Sequence, residues 1–508
     1  MNRTTKTIMF LGTGSDVGKS IVATAFCRIF RRRGFSVAPF KAQNMSNNSY
    51  VTIEGGEIGR AQVVQAEAAG LPPSSDMNPV LLKPSSNLGS QVVVQGRVRG
   101  QMSAAEYHRR KKELQDAVME SFHRLADQHE IIVMEGAGSC CEINLRDQDL
   151  ANFGMAEKVD APCVLVADID RGGVFAQIIG SMVLMSPREK ELTAGFIINK
   201  FRGDPDLFTS GIEFIEQQTN KPVYGVAPYY TDVFIDPEDS VAVQPDKRPL
   251  RPLRSDGLNV AVIRLPGISN FTDLEALERE PDITLNYLGR SQPLDQYDLV
   301  ILPGTKNTVE DAVWLVRSGW AKAIKNHTAA GGWLCGLCGG YQLLGQHILD
   351  PLAVESPRGK VRGLGLMPLT TTLEANKVLR RVVGQDLLLK EPVTGYEIHM
   401  GRTEPSGSNH DSIQPSPLLR LHEPGRRTSW LDGWAIEGGR ILGTYVHGLF
   451  DSPTWRRTYL NHLRQTKGLP ERRSATPVRR SRFHQYDRLA DHFEQHIDVD
   501  SILKIVGV

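Results

Sequence analysis

The sequence predicts an α/β protein built from two successive wound units, and three observations predict it. The first 235 residues alternate short β-rich runs with helical stretches. A glycine-rich turn, Gly12 to Ser20, joins an apolar run to an amphipathic one. After residue 258 a second set of strands begins, and one of them leads into Gly336-Leu337-Cys338-Gly339-Gly340, a cysteine set between a strand and a helical start.

In the first unit the expected strands are 7–11, 36–40, 131–134, 163–167, 195–198 and 222–226. Each is bounded by Gly, Pro or Asp and separated from the next by enough chain for a helix, the pattern of a doubly wound parallel sheet. From Asp236 to Gly257 the chain is rich in Pro and charge without periodicity, which reads as a linker. The second unit has strands at 258–265, 299–302 and 333–336, a helix from about Val309, and a close near Gly443–Phe450. After a Pro- and Arg-rich connector, Phe483, Tyr486, Leu489, Ala490, Phe493 and Ile497 recur at helical spacing. The expected division is therefore 1–235, a linker 236–257, a second domain 258–455, and a connector with C-terminal helix 456–508.

At 508 residues, with about 150 residues per domain, two large domains and an appendage fit. The chain is 40% hydrophobic and 23% charged, as for a soluble globular protein, and its net charge of +1 gives no global electrostatic case for nucleic acid. The basic run from Arg472 to Arg482 reads as solvated surface. No apolar run approaches the roughly 20 residues that span a bilayer, so no membrane partner and a cytoplasmic location are expected. Cys140-Cys141 and Cys335-x-x-Cys338 lack the second ligand pair a zinc site needs.

The turn at Gly12–Ser20 sits between a strand and a helix, where backbone N–H groups and the helix N-terminus favour phosphate oxygens. Gly14, Ser15, Val17 and Gly18 supply backbone, Lys19 a point charge, and the Ser20 hydroxyl a ligand for Mg2+, so ATP with magnesium is the expected cofactor. Thr13 stands where the usual loop has a glycine. Glu135, ending the strand 131–134, is the expected magnesium carboxylate; Asp168 and Asp170 are rivals at the next strand end. Asn199, with Lys200, ends another strand and is a candidate to read a base edge.

Cys338 on its sharp turn is expected to be exposed beside the Gly339 N–H, an oxyanion donor. A free thiol of pKa about 8.5 is only a few per cent thiolate at pH 7, so it needs a base. His447, ending a second strand, is the candidate.

These segments resemble known families. The loop, Lys41 after the second strand and Glu135-Gly-Ala-Gly138 resemble the dethiobiotin-synthetase-like P-loop fold, whose members phosphorylate a carboxylate or carbamate. The resemblance implies that Lys41 lies near the transferred phosphoryl group. Regulatory ATPases of the same fold carry a signature lysine where this chain has Gly14. The segments 302–305, 336–342 and 445–448 resemble class I glutamine amidotransferases, with Gly304 matching the other half of the oxyanion hole. Most of that class has a glutamate two residues after the histidine, where this chain has Leu449. A Cys–His dyad is therefore expected, with the group that orients His447 unassigned and Asp451 near it in sequence.

The order of the two units, and the segments Phe40–Thr52 (FKAQNMSNNSYVT), Gly59–Gly70, Met77–Pro84 and Gly395–Gly401, resemble the cobyrinic/cobyric acid amidotransferase family over nearly the whole chain, on its cobyric acid side. Gln43 and Asn44, in an amide-rich loop at the ligand-binding edge of the sheet, are the expected substrate contacts. The resemblance implies adenosylcobyrinic acid a,c-diamide and glutamine as partners, with four carboxylates amidated. A cobyrinic acid a,c-diamide synthase or another glutamine-dependent amide ligase is the alternative.

Overall fold

The structure is a computed structural model describing residues 5–86, 89–230, 233–236, 238, 249–406, 414–473 and 478–508. Its first unit carries a six-stranded parallel sheet in the order Val223–Pro228, Thr193–Phe201, Cys163–Asp168, Lys6–Gly12, Ile131–Glu135, Val37–Phe40. Strand side chains alternate between faces, and here both faces are covered. Ile8 and Phe10 join Ile131 and Val133 in one apolar core, while Met9 and Leu11 join Ile132 and Met134 in the other. That two-sided burial is why the strands read as continuous apolar runs.

The segment 43–102, which begins in the amide-rich stretch read from sequence as a loop, adds a four-stranded sheet: Gln43–Met45, Val80–Ser86, Gly89–Val94 and Arg97–Met102, in that order. Its last hairpin turns at Gln95 and Gly96, both at positive φ (47° and 75°). A Cβ at Gly96 would lie 2.6 Å from the Gly56 Cα, so the glycine lets two turns pack together.

The second unit has a parallel half, Ile283–Leu288, Leu258–Ile263, Leu299–Leu302, Trp333–Leu337 and Ile441–Thr444, each wholly or almost wholly buried. It continues as antiparallel strands Ser429–Ile436, Ser416–His422 and the long hairpin Leu369–Asp386 with Pro392–Pro405. That hairpin reaches back to pair Tyr396 with His447. The helix Pro453–Thr466 places Trp455, Tyr459, Leu460 and Leu463 in this core, so the expected boundary at 455 falls inside an element of the second unit. Its Arg456 and Arg464 pair with Glu280 (2.8 Å) and Asp282 (2.6 Å).

The C-terminal helix Val478–His496 leaves the second unit and packs on the first. Tyr486, Leu489, Ala490 and Phe493 lie in one core with Phe26, Ile29 and Phe30 of the helix Lys19–Arg32. Arg28 donates to Asp487 at 2.8 Å, and Ile497 bridges Gly225 of the edge strand. The expected linker begins with Asp236, buried between Arg60 of the first unit and Arg279 of the second. Most of residues 237–248 lie outside the described residues.

Candidate active sites

The helix Lys19–Arg32 starts at Gly18, whose φ of 102° is the left-handed conformation glycine permits, and its first turn carries no acidic residue. Gly18 also has no room for a side chain, since a Cβ would lie 2.2 Å from the Asn199 amide nitrogen. Ser15, Gly18, Lys19 and Ser20 line a cavity of about 1360 Å³. Lys19 Nζ donates to the carbonyls of Gly14 (3.1 Å) and Gly138 (2.7 Å), tying the loop to the glycine turn after Glu135. Burial, then the neighbouring Lys41, lower its pKa.

Ser20 Oγ donates to Glu135 Oε1 at 2.7 Å, and Lys41 Nζ donates to the same oxygen at 2.8 Å. Gln65 Nε2 donates to the other carboxylate oxygen at 2.5 Å. A second carboxylate completes the cluster: Glu238 accepts from Lys41 (2.7 Å) and lies 2.9 Å from the Ser20 hydroxyl oxygen. Burial opposes the charge on Lys41, yet the two carboxylates outweigh it and hold the ammonium above its ordinary pKa; Lys41 in turn lowers that of Glu238 against burial. Glu238 went unread because its Asp-Pro-Glu-Asp context looks like linker; the change in composition gave no signal that the carboxylate folds back onto the strand edge.

Of the rival carboxylates, Asp168 accepts from Lys200 (2.9 Å) and Asp170 from Arg202 (2.5 Å). Both line the cavity, but Ser20 contacts neither. Asn199, a candidate for reading a base edge, is wholly buried beneath the loop and donates to the Val17 carbonyl at 2.9 Å, with its Oδ1 unpaired. Gln43 and Asn44 both line the cavity; Gln43 accepts from the Tyr107 hydroxyl, and Asn44 donates to Gln62 at 2.9 Å. Ser20 with two carboxylates is an oxygen-only set of the kind magnesium takes, beside a helix N-terminus for phosphate. The residues fit a magnesium nucleotide.

In the second unit Cys338 adopts φ 51° and ψ −108° between the strand Trp333–Leu337 and the helix Gly339–Leu344. A non-glycine residue there stores about 1–3 kcal/mol of strain. The glycines that follow are required by contact: a Cβ at Gly340 would lie 1.9 Å from the Leu302 carbonyl, and one at Gly339 would lie 2.5 Å from Thr305 Cγ2. The 302–305 turn is thereby pressed against the cysteine turn, and Gly304 comes close to the His447 ring.

On one side His447 faces Cys338, whose thiol donates to the Ile398 carbonyl at 3.4 Å. On the other, the His447 Nδ1 lies 2.7 Å from Asp273 Oδ2, while Asp273 Oδ1 accepts from the Gly448 N–H at 2.9 Å. Asp273 is thus the orienting group that the sequence left unassigned, and the expected dyad is extended to a Cys–His–Asp arrangement. It sits 174 residues before the histidine, so no local spacing could reveal it. Asp451 instead faces Arg482 at 3.4 Å, and Leu449 is buried in the core. Burial alone would depress the imidazole; Asp273 and Cys338 overcome it and push the His447 pKa up to about 10. The raised pKa keeps the imidazole protonated beside the cysteine sulfur.

The two sites are joined. Asn270, on the turn that carries Asp273, accepts from the backbone N–H of Ser49 in the first unit at 2.9 Å. Tyr396 donates to the Ser49 carbonyl at 3.3 Å and stacks on His447, ring centroids 5.3 Å apart.

Comparison with known proteins agrees with this two-part architecture. Residues 8–242 match the CobQ/CobB/MinD/ParA nucleotide binding domain, and residues 259–455 match the CobB/CobQ-like glutamine amidotransferase domain. A cobyric acid synthase of Syntrophobacter fumaroxidans is 48% identical over 514 residues, covering 99% of this chain and 98% of that protein. One from Chlorobium chlorochromatii is 46% identical, covering 99% and 97%, and one from Yersinia enterocolitica is 47% identical, covering 98% of each. With a nucleotide-type cavity, a strained cysteine paired to His447, and relatives similar from end to end, the chain belongs to the cobyric acid synthase family.

Proposed function

We propose that this protein amidates the b, d, e and g carboxylates of adenosylcobyrinic acid a,c-diamide, using ATP and glutamine, to give adenosylcobyric acid in cobalamin biosynthesis in the cytoplasm. The observation that carries the reading is the pairing, within one chain, of the Ser20–Lys41–Glu135–Glu238 cluster in a cavity of about 1360 Å³ with the Cys338–His447–Asp273 arrangement. One site alone would make a phosphotransferase or a glutaminase.

An ionised carboxylate is too poor an electrophile for ammonia, so it is first phosphorylated. The carboxylate oxygen attacks the γ-phosphorus, the bond to the β-phosphate oxygen breaks, and ADP leaves. Lys41 and Lys19 offset the negative charge, and a magnesium ion held by Ser20, Glu135 and Glu238 would supply further neutralisation of the phosphates. Gln43 and Asn44 orient the substrate edge. Meanwhile the Cys338 thiolate attacks the glutamine side-chain carbonyl, with the N–H groups of Gly339 and Gly304 facing the oxyanion. His447, held by Asp273, gives a proton to the departing amine; ammonia leaves and a glutamyl thioester remains for water to cleave. Ammonia then displaces phosphate from the acyl phosphate to form the amide.

The test is product mass after incubation with ATP, magnesium, glutamine and the a,c-diamide. Stepwise gain of four amides supports the reading. No mass change, with glutamine still hydrolysed, rejects this substrate and leaves the two-site ligase, as in a cobyrinic acid a,c-diamide synthase.

A further inference from the structure

A chain of contacts runs from the nucleotide cavity to the glutaminase histidine. Glu238, held on Lys41 and Ser20, has its backbone carbonyl bonded by Ser46 Oγ at 2.7 Å, and that hydroxyl accepts from the Asn48 N–H at 3.0 Å. The next residue, Ser49, has both backbone groups tied to neighbours of His447: its N–H donates to Asn270 Oδ1, and its carbonyl accepts from Tyr396. A backbone N–H can only donate, so the atom it meets on Asn270 must be the amide oxygen. The amide nitrogen is thereby turned onto His447, 3.4 Å from Nδ1 and 3.3 Å from Nε2.

Asn270 also sits at φ 49°, ψ 34°, a left-handed conformation that asparagine tolerates, as the residue preceding the short helix Phe271–Leu274 that carries Asp273. It is 4% exposed. One buried side chain therefore touches the imidazole, shares a turn with its carboxylate partner, and is aimed by the other domain. We propose that Asn270 is a positioning residue that registers the state of the 43–51 segment on His447, so that glutamine hydrolysis rises when that segment engages the synthetase ligands. The coupling rests on the function proposed above; the positioning does not.

The experiment compares the full-length parent with Asn270→Ala and Asn270→Asp in glutamine hydrolysis, with and without ATP, magnesium and the a,c-diamide. Ammonia-driven amidation serves as the check on folding and substrate. The parent's kcat is expected to rise about 10-fold with the ligands, the range of a typical coupling. Asn270→Ala should lose that rise while retaining ammonia-driven amidation and the KM for glutamine. Where amidation occurs, a parent that ignores the ligands, or an Asn270→Ala that responds as the parent does, overturns the coupling. Absence of amidation in the parent rejects the substrate instead.

The pH profile without synthetase ligands judges the positioning separately. The groups that face or act on His447 are Asp273, Cys338, Glu397, His399 and the Tyr396 phenol. Asn270→Asp still accepts from Ser49 but adds an anion against the imidazole, so the alkaline limb should move up. An unmoved limb overturns the positioning role.

Discussion

The two sites solve opposite problems in charge. The synthetase cavity is wide and lined by carboxylates and amines, and its central ammonium, Lys41, is gripped by two carboxylates at once. The glutaminase site is closed, with Cys338 9% and His447 1% exposed, and its cation is held by one carboxylate beside the reacting sulfur. A cation between two carboxylates stays charged and serves as a fixed electrostatic anchor. A cation that shares its charge with a reacting sulfur is a proton donor whose partner changes during the reaction. Burial is common to both; the number of permanent anions separates an anchor from an acid.

Substitutions that break this contrast should fall in order of size. Cys338→Ala removes the nucleophile and should lower glutamine-driven amidation by about 10⁶-fold, the loss seen when one member of such a unit is deleted, while ammonia still supports product; a mass assay with each nitrogen source reads both. Asp273→Asn should cost about 10⁴-fold in glutamine hydrolysis, as for the loss of an orienting carboxylate. Retention of near-parent kcat there would mean His447 needs no orienting group.

The same substitution has a sign in stability. His447 titrates near 10 in the fold, against about 6.5 for a free histidine. Its raised pKa stabilises the fold fully below 6.5, and the contribution is lost as pH rises through 10. The gap in urea midpoint between parent and Asp273→Asn should therefore narrow from pH 6.5 to 10.

Lys41→Met should reduce amidation by about 10²–10³-fold, the usual cost of one charge-stabilising donor, and equally with ammonia or glutamine. Unequal losses would show that Lys41 serves the other site as well. The smallest effect belongs to Glu238→Gln. Losing one of two carboxylates should weaken magnesium–ATP binding by about 10-fold by calorimetry, in keeping with 1–3 kcal/mol for a buried polar partner.

The sequence was most legible where chemistry is local. Gly12–Ser20 and Gly336–Gly340 each compress strand, turn and helix into a few residues, and every predicted strand of the first sheet overlaps an observed one, with ends that differ by at most three residues. Legibility failed where partners are distant in the chain. Asp273, Asn270 and Glu238 reach their sites through folding alone, and an acidic residue in Asn-Phe-Thr-Asp or Asp-Pro-Glu-Asp looks like any surface turn. The small sheet of residues 43–102 was missed: its first strand, Gln43–Met45, is short and amide-rich and reads as loop, and tertiary pairing overrode that pattern.

The helix at the chain's end fills the face of the first sheet beside Phe26 and Phe30. The N-terminal unit is therefore spatially finished only by residues that follow the second unit in the chain. During synthesis an apolar surface on that unit must wait while some 200 residues of the second fold emerge, since domains otherwise close in order from the N-terminus. A gene split at residue 250 would leave the amidotransferase half carrying a greasy tail that belongs to its partner, and would turn an internal packing contact into the handle by which two polypeptides find each other.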